Sequence, residues 1–138
     1  MNSKELQQQL AGVELFQGLS KRTLAQIASS GRFTDHVNGH EVIVEGAGAT
    51  GFHLITSGKA RVTSGGAVRR TLGVGDYFGE ISVIDGKPRS SSVEAVGDLQ
   101  TFMIRPSVLQ GLISEQPKLA QQLLLVLCAR LREAEARG

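Results

Sequence analysis

Cysteine and long apolar runs are both scarce in this sequence of 138 residues. Cys128 stands alone, which excludes an internal disulfide and suits a reducing compartment. Its neighbours, Leu127 and Ala129, predict a small buried hydrophobe rather than a nucleophile. No apolar run approaches the roughly 20 residues that span a bilayer, and the opening MNSKELQQQL lacks the apolar core of a signal peptide. We therefore expect a cytoplasmic protein with no membrane partner.

The sequence also lacks a large excess of charge of either sign. The 15 Lys and Arg residues face 13 Asp and Glu residues, and the basic ones are scattered along the chain. This balance gives no patch for nucleic acid or a membrane surface. Hydrophobic residues at 41% and charged residues at 20% are ordinary for a folded soluble domain. A chain of this length folds without a disulfide or metal, so we expect a single domain over residues 1–138.

Both ends of the sequence predict helices. Ser3 is a candidate cap for a helix over Lys4–Ala11, and Ser20 for a second one that Gly31 ends. The second helix places its apolar residues on one face. That face consists of Leu24, Ile27 and Ala28. We expect residues 1–32 to be helical.

The middle of the chain predicts short strands. Five runs rich in β-branched residues lie between turn signals, namely HEVIVEG, FHLITSG, KARVTSGG, AVRRTLG and LQTFMIRP. Val68, Arg70 and Leu72 alternate as in a half-buried strand. Because short strands with frequent turns must close or stack to protect their edges, we expect a double-stranded β-helix-like roll, of the jelly-roll kind, over residues 33–106.

Residues 107–138 return to helical patterns. Ser107 begins the short helix VLQGLIS, and Pro117 suits the first turn of a final helix. An apolar stripe runs along the final helix at Leu119, Leu123, Val126, Leu127 and Leu131, widened by Leu124, Leu125 and Cys128. A helix apolar on so many sides is buried on more than one of them, or it meets a protein partner or a second copy. The expected fold class is thus mainly β with flanking helices.

The stretch GEISVIDGKPRSSSV, from Gly79 to Val93, has the chemistry of a nucleotide site. Gly79 lets the backbone approach a ligand closely, and the Arg89 guanidinium suits a phosphate. The Glu80 carboxylate would repel phosphate and therefore suits a hydroxyl donor such as a ribose. An ion pair between Glu80 and Arg89 at the base of a loop would use the same residues, and that alternative stays open on the residues alone.

The same stretch resembles the phosphate-binding cassette of the cyclic nucleotide-binding domain family. The pattern is Phe78-Gly79-Glu80, an apolar stretch, a turn, and Pro88-Arg89 followed by Ser90-Ser91-Ser92-Val93. LFQGLSKRTLAQIAS resembles the N-terminal helical motif of the family. FHLITSGKARV resembles its second and third strands, including a glycine turn at Gly58. The resemblance extends along almost the whole chain, with matching order and spacing.

The resemblance implies a set of ligand-binding residues. They are Gly79, Glu80, Ile81, Ser82, Arg89, Ser90, Ser91, Val62 and Arg132. Arg89 would hold the cyclic phosphate, with the two following serines completing the phosphate shell. Glu80 would accept a hydrogen bond from the ribose 2′-hydroxyl, between backbone groups that line the sugar and phosphate. Val62 would touch the base, and Arg132 is the candidate to cover it, because Ala134 stands where several bacterial activators have a hydroxyl.

Some positions depart from the family pattern. Members often have alanine where Ser82, Ser91 and Ser92 stand in this sequence. In receptors resembling the eukaryotic cGMP-binding ones, a threonine at position 90 reaches the guanine, whereas bacterial cAMP receptors also carry serine there. Ser90 therefore favours cAMP over cGMP as the ligand.

Three functions follow as hypotheses. The first is a cyclic nucleotide-binding regulatory module, without a cofactor, that signals through movement of its final helix. Only two helices fit after Arg105, so we expect no helix-turn-helix and no nucleic-acid partner. The second is a protein-interaction module that keeps the fold without the ligand.

The third hypothesis is a cupin-like metal barrel. His36 and His40 have a metal-like spacing, but Asn38 and Gly39 place a turn between them and no third ligand is evident. His53 is expected to be structural. No serine, cysteine or lysine has a base partner by pattern, so we expect no enzyme activity and no metal.

Overall fold

The computed structural model describes residues 1–44, 46, 51–79 and 91–137. The chain forms two compact units, Met1–Ser29 with Gly111–Gly138, and Ser30–Gln110. The first unit is helical and the second contains the sheet. The expectation of one domain over residues 1–138 stays a prediction.

The helical segments lie at both ends of the chain, as predicted. They are α1 (Ser3–Ala11), a 3₁₀ turn (Glu14–Phe16), α2 (Lys21–Ala28), α3 (Pro106–Glu115) and α4 (Pro117–Arg137). α1 packs on α2, and α4 contacts the 3₁₀ turn. Within the described ranges, none of these helices combines the length and apolar character that crossing a bilayer requires.

The helix ends show which capping predictions were right. The Ser20 side chain accepts a hydrogen bond from the Thr23 N–H at 3.1 Å and caps α2, as predicted. The cap of α1 is Asn2 rather than Ser3, since its Oδ1 accepts from the Glu5 N–H at 2.8 Å. α2 ends at Ala28, so Gly31 is not its cap.

Gly31 is instead required by packing. A Cβ at this position would lie 2.8 Å from the Phe102 ring and would overlap the Met103 carbonyl oxygen. The glycine lets the chain approach the segment that bears Phe102 and Met103 closely as it enters the sheet unit.

The apolar stripe of α4 is narrower than predicted. Leu119, Leu123 and Val126 are buried, but Leu131 is 60% exposed and Cys128 is exposed as well. The prediction that Cys128 is a buried hydrophobe was therefore wrong. At about 100° per residue, Cys128 stands half a turn around the helix from Leu119, on the side away from the buried face.

The described residues of the second unit form an antiparallel sheet of six strands. The strands are β1 (Arg32–His36), β2 (Glu41–Ile43), β3 (Phe52–Ser64), β4 (Ala67–Leu72), β5 (Tyr77–Phe78) and β6 (Ser92–Ile104). The main order is β1-β6-β3-β4, with β2 paired to β6 and β5 paired to β3. β3 therefore contacts three other strands and positions the elements that lead to the candidate site.

The predicted glycine turn at Gly58 is absent from the described sheet, because the two predicted strands around it are one continuous strand, β3. The register against β6 shifts between Ile55 and Ser57, and again between Ser57 and Lys59, across Gly58. Gly58 has a φ of +90°, and a Cβ there would overlap the Asp98 carbonyl oxygen of β6. Gly58 is thus the centre of an irregularity in β3, where the two backbones come too close for a side chain.

Two further strand predictions need correction. The alternation in β4 is wrong, since Val68 is 59% exposed and Leu72 is the only buried residue of that strand. β4 lies at the end of the described strand order, where one face is open to water. β6 is longer than the predicted run, because it begins at Ser92 rather than Leu99.

An apolar cluster lies inside the described part of the sheet unit. Its buried members are Ile43, Ile55, Ala60, Val62, Leu72, Phe78, Val93, Ala95 and Leu99. Ile55 and Val62 lie on either side of Gly58 along β3. Both halves of this one strand therefore face the same core.

Gly58 and Gly66 offer a matched pair of substitutions. Both have a left-handed φ, but a Cβ at Gly66 meets nothing within 4 Å. We expect Gly66→Ala to lower the free energy of unfolding by about 1–2 kcal/mol through backbone strain alone. Gly58→Ala should lower it by a further ~1–3 kcal/mol through overlap with Asp98. Urea unfolding measures both, and equal losses would contradict the close approach.

Candidate functional site

Part of the predicted site lies outside the described residues. These positions are Glu80, Ile81, Ser82, Arg89 and Ser90. Their roles remain predictions, as do those of the four described members of the predicted set. What the structure does describe is the frame at both ends of residues 80–90 and the strand that carries Val62.

A tight turn leads into the N-terminal end of this segment. The Asp76 carboxylate accepts from the Gly73 N–H at 2.8 Å, and the Asp76 carbonyl accepts from the Ile55 N–H at 2.9 Å. The turn that the glycines and aspartate of GVGDYFGE predict is therefore present, and hydrogen bonds fix it to β3.

Aromatic contacts hold the short strand that follows. β5 is two residues long, and each of its rings stacks on a residue of β3. The Tyr77 and Phe52 ring centroids lie 5.5 Å apart. The Phe78 and His53 rings lie 5.0 Å apart and nearly parallel, at 6°. Gly79 follows directly with a φ of +93°, a conformation that favours glycine.

The C-terminal end of the segment enters the sheet beside Val62. Ser91 is half-buried, and β6 begins at Ser92 and pairs with β3 so that Val93 stands opposite Val62. Val62 is 8% exposed and shares the apolar cluster with Val93 and Phe78. Both ends of residues 80–90 thus adjoin the cluster that contains the predicted base contact.

A charged pair lies on the other face of the same strands. Arg61 stands opposite Glu94, and their side chains form an ion pair at 3.2 Å. Side chains alternate across a strand, so this pair points away from Val62. Both side chains are partly exposed, and the pair therefore adds little stability. The Val62 face of these strands belongs to the apolar cluster.

Arg132 and Ala134, considered for covering the base, are both exposed residues of α4 in the helical unit. The role of Arg132 stays a prediction.

The histidines form a cluster beside β1. The His36 and His40 rings stack at 5.3 Å, and the His36 and His53 centroids lie 6.2 Å apart. His53 is 5% exposed, in keeping with the structural role predicted for it. Across the described ranges, no three or more His, Cys, Asp or Glu side chains are placed to hold a metal ion.

The environment of His36 favours its neutral form. Burial and the neighbouring His40 lower the pKa of His36 below 6.5, against an opposing effect of Asp35. A cleft of about 370 Å³ adjoins this ring, lined by Asp35, His36, Val37, Ser57, Asp98, Leu99 and Gln100.

The sequence matches the cyclic nucleotide-binding domain over residues 36–116, which is more than half of the chain. The chain belongs to the cyclic nucleotide-binding domain family. This assignment confirms the predicted resemblance and the predicted β-roll with flanking helices.

Three relatives illustrate the family. A CRP-like cAMP-activated global transcriptional regulator of Mycobacterium tuberculosis is 30% identical over 89% of this chain and 57% of its own. A cGMP-dependent protein kinase of Toxoplasma gondii is 33% identical over 68% of this chain and 10% of its own. The crystal structure of the Thermus thermophilus catabolite activator protein superposes with a TM-score of 0.82 at 31% identity, over 90% of this chain and 61% of that one.

Length separates this chain from those relatives. It spans about three fifths of the length of the two bacterial proteins, at 57% and 61%. The shared part is therefore the cyclic nucleotide-binding domain, and the activity of each relative as a whole belongs to that protein.

Several residues that shape the frame were not singled out from sequence. Thr101 received no role, and Phe78 and Val93 were noted only as residues of the cassette pattern. Their contacts depend on strand pairing between distant segments, such as Val62 with Val93 and His53 with Phe78. The available signal was weak, since it consisted only of two adjacent aromatic residues before Gly79.

The lowered pKa of His36 predicts a pH-dependent stability. Below pH 6.5 the unfolded chain takes up a proton at this residue before the folded chain does, so the free energy of unfolding falls as the pH drops. Well above pH 6.5 the residue is neutral in both states and adds no pH dependence. His36→Gln should flatten this dependence between pH 7.5 and 5.5 in urea unfolding. An unchanged slope in the variant would contradict it.

Proposed function

We propose that this chain is a regulatory module that binds a cyclic nucleotide, cAMP in preference to cGMP. The carrying observation is the complete cassette pattern, from Phe78-Gly79-Glu80 to Pro88-Arg89, in a chain that belongs to the family. Arg89 would bind the cyclic phosphate through charge-assisted hydrogen bonds. Glu80 would accept from the ribose hydroxyl, and Ser90 and Ser91 would complete the phosphate contacts.

The described frame supports this assignment. Gly79 and Ser91 leave the sheet next to the apolar cluster that contains Val62, Phe78 and Val93. An apolar cluster next to a stretch of polar sequence suits a ligand with a flat base and a charged sugar phosphate. The proposal gives the chain no catalytic step, because the ligand is bound and released unchanged.

The preference for cAMP rests on Ser90. A threonine at this position reaches the guanine in receptors resembling the eukaryotic cGMP-binding ones, and serine lacks the methyl group that restricts the hydroxyl rotamer. The names of the relatives include both cAMP-activated and cGMP-dependent proteins. A competition between the two nucleotides therefore decides this part of the proposal.

Calorimetric titration with cAMP and cGMP tests the binding. We expect saturable binding with the lower Kd for cAMP, and a rise in the thermal midpoint because the ligand binds the native state. Arg89→Ala should weaken cAMP binding by about 2–5 kcal/mol, since it removes the cation from the phosphate. Arg22→Ala, an equal charge change at an exposed position of α2, should leave the Kd unchanged.

The competing hypothesis predicts a different result. A Glu80–Arg89 ion pair in a ligand-free interaction module requires that neither nucleotide binds at millimolar concentration. Under that hypothesis Arg89→Ala lowers the unfolding free energy by leaving Glu80 unpaired. A silent titration together with this stability loss would replace the proposed function by the interaction module.

We further propose that α4 carries the output by pairing with a second copy of the chain. Leu124 and Leu131 are 63% and 60% exposed and lie seven residues apart. With Leu127 between them they have the a and d spacing of a coiled-coil seam. The buried stripe at Leu119 and Val126 lies on another side of the same helix. Nucleotide binding would change how strongly two such seams associate, through the difference in affinity between the two states.

Light scattering after gel filtration checks this pairing. We expect a dimer whose dissociation constant changes when cAMP is added. Leu124→Glu with Leu131→Glu should give a monomer, because two charges would enter the seam. Ala129→Glu, also exposed on α4 but away from the seam, should leave the dimer intact. A protein that is monomeric both with and without cAMP would contradict the pairing.

A further inference from the structure

Two histidines in the sheet unit are joined by two threonine hydroxyls. The His36 Nε2 atom lies 3.0 Å from Thr34 Oγ1. Thr34 Oγ1 lies 2.7 Å from Thr101 Oγ1, which in turn lies 2.8 Å from His53 Nδ1. The chain of contacts runs from β1 through β6 to β3. It connects the ring beside the cleft to the ring beneath Phe78.

The number of hydrogen atoms available to this series of three contacts is restricted. Three contacts need three hydrogens, and each hydroxyl supplies one. The third must come from His36 Nε2 or from His53 Nδ1. If both nitrogens carry a hydrogen, one is in surplus, and if neither does, one contact lacks a hydrogen. Thr101 is fully buried, so an unmatched hydrogen or lone pair at its hydroxyl is unfavourable.

We propose that Thr34 and Thr101 form a hydrogen-bond relay that makes the ring states of His36 and His53 mutually exclusive. Of the two facing nitrogens, one carries a hydrogen and the other accepts one. When His36 is protonated, its Nε2 must donate, both hydroxyls turn toward His53, and His53 Nδ1 must accept. His53 is then held neutral with its hydrogen on Nε2.

The surroundings place His36 as the responsive member. Its ring contacts those of His40 across the turn and His53 on β3, Asp35 on its own strand acts on it electrostatically, and Asp98 of β6 lines the same cleft. Burial and His40 hold the pKa of His36 below 6.5, so the ring is neutral near pH 7 and gains a proton only as the pH falls further.

The turn that bears His40 is fixed to β6. The Ala95 N–H donates to the His40 carbonyl at 2.9 Å, and the Gly39 N–H donates to the Ala95 carbonyl at 2.8 Å. The backbone of His40, the stacked partner of His36, is therefore hydrogen-bonded to the sheet just before β2 begins.

The relay ends where the candidate site begins. His53 stacks on Phe78, and Phe78 precedes Gly79, the first residue of the predicted cassette. On the proposed function, the protonation of His36 therefore acts on the strand that presents the cassette. Mild acidification would then change nucleotide affinity without a titrating group in the site itself.

Nitrogen NMR of the ¹⁵N-labelled full chain, without nucleotide, tests the relay. The protonated fractions of His36 Nε2 and His53 Nδ1 should sum to one at every pH between 5 and 8. At any pH at which His36 is doubly protonated, the His53 Nδ1 should carry no hydrogen. Both nitrogens protonated together, or both bare together, in the wild-type protein would overturn the relay.

Substitutions test whether the two threonine hydroxyls, rather than burial of the histidines, couple the two ring states. In Thr101→Val the protonated fractions of His36 Nε2 and His53 Nδ1 should no longer sum to one. In Thr101→Ser they should again sum to one. Thr34→Val, at a half-buried position, leaves His53 as the remaining relay partner of Thr101 and should keep His53 Nδ1 bare at every pH. Thr56→Val is the matched control, because its hydroxyl bonds to Gln100 on the same pair of strands outside the relay. If the two protonated fractions also fail to sum to one in Thr56→Val, the assignment of the relay to Thr34 and Thr101 is overturned.

A second measurement tests the link to the cassette. The ratio of cAMP Kd values at pH 5.5 and 7.5 should differ at least twofold between the wild-type protein and Thr34→Val, and Thr56→Val should behave as wild type. Equal ratios in all three would overturn the link. If cAMP binds none of them, the proposed function fails while the NMR result still decides the relay.

Discussion

The close approach of β3 to β6 at Gly58 governs the sheet unit. One strand of 13 residues pairs with β4, β5 and β6 and shows residues from both of its halves to a single apolar cluster. That requires a local break in its register, and the break occurs where the Asp98 carbonyl fills the space of a side chain. A residue with a Cβ would push the strands apart. Phe78 and Val62 could then no longer share one core.

The sequence revealed element types better than their connections. Ser20 and Pro117 predicted the starts of their helices correctly, because capping and the restricted φ of proline are local effects. Gly58 was taken for a turn because a positive φ serves a turn and a bulge equally well, and only the partner strand distinguishes them. Cys128 was placed inside because its neighbours are apolar, although the face of a helix that is buried depends on what packs against it.

The candidate site shows the same division. Its chemistry is readable from Glu80 and Arg89, since a carboxylate and a guanidinium each suit one kind of ligand group. Its frame is not readable, because the stacking of His53 on Phe78 and the pairing of Val62 with Val93 join residues far apart in sequence. The same holds for Thr34 and Thr101, which are 67 residues apart and share a 2.7 Å contact.

The two-residue strand β5 has a spectroscopic consequence. Tyr77 is the sole tyrosine of a chain without tryptophan, and it is 7% exposed and stacked on Phe52 two residues before Gly79. The ultraviolet fluorescence of the unlabelled protein therefore arises almost wholly from Tyr77, two residues before Gly79. The molecule thus contains an intrinsic fluorescent probe beside the predicted cassette, where a bound nucleotide would change its emission.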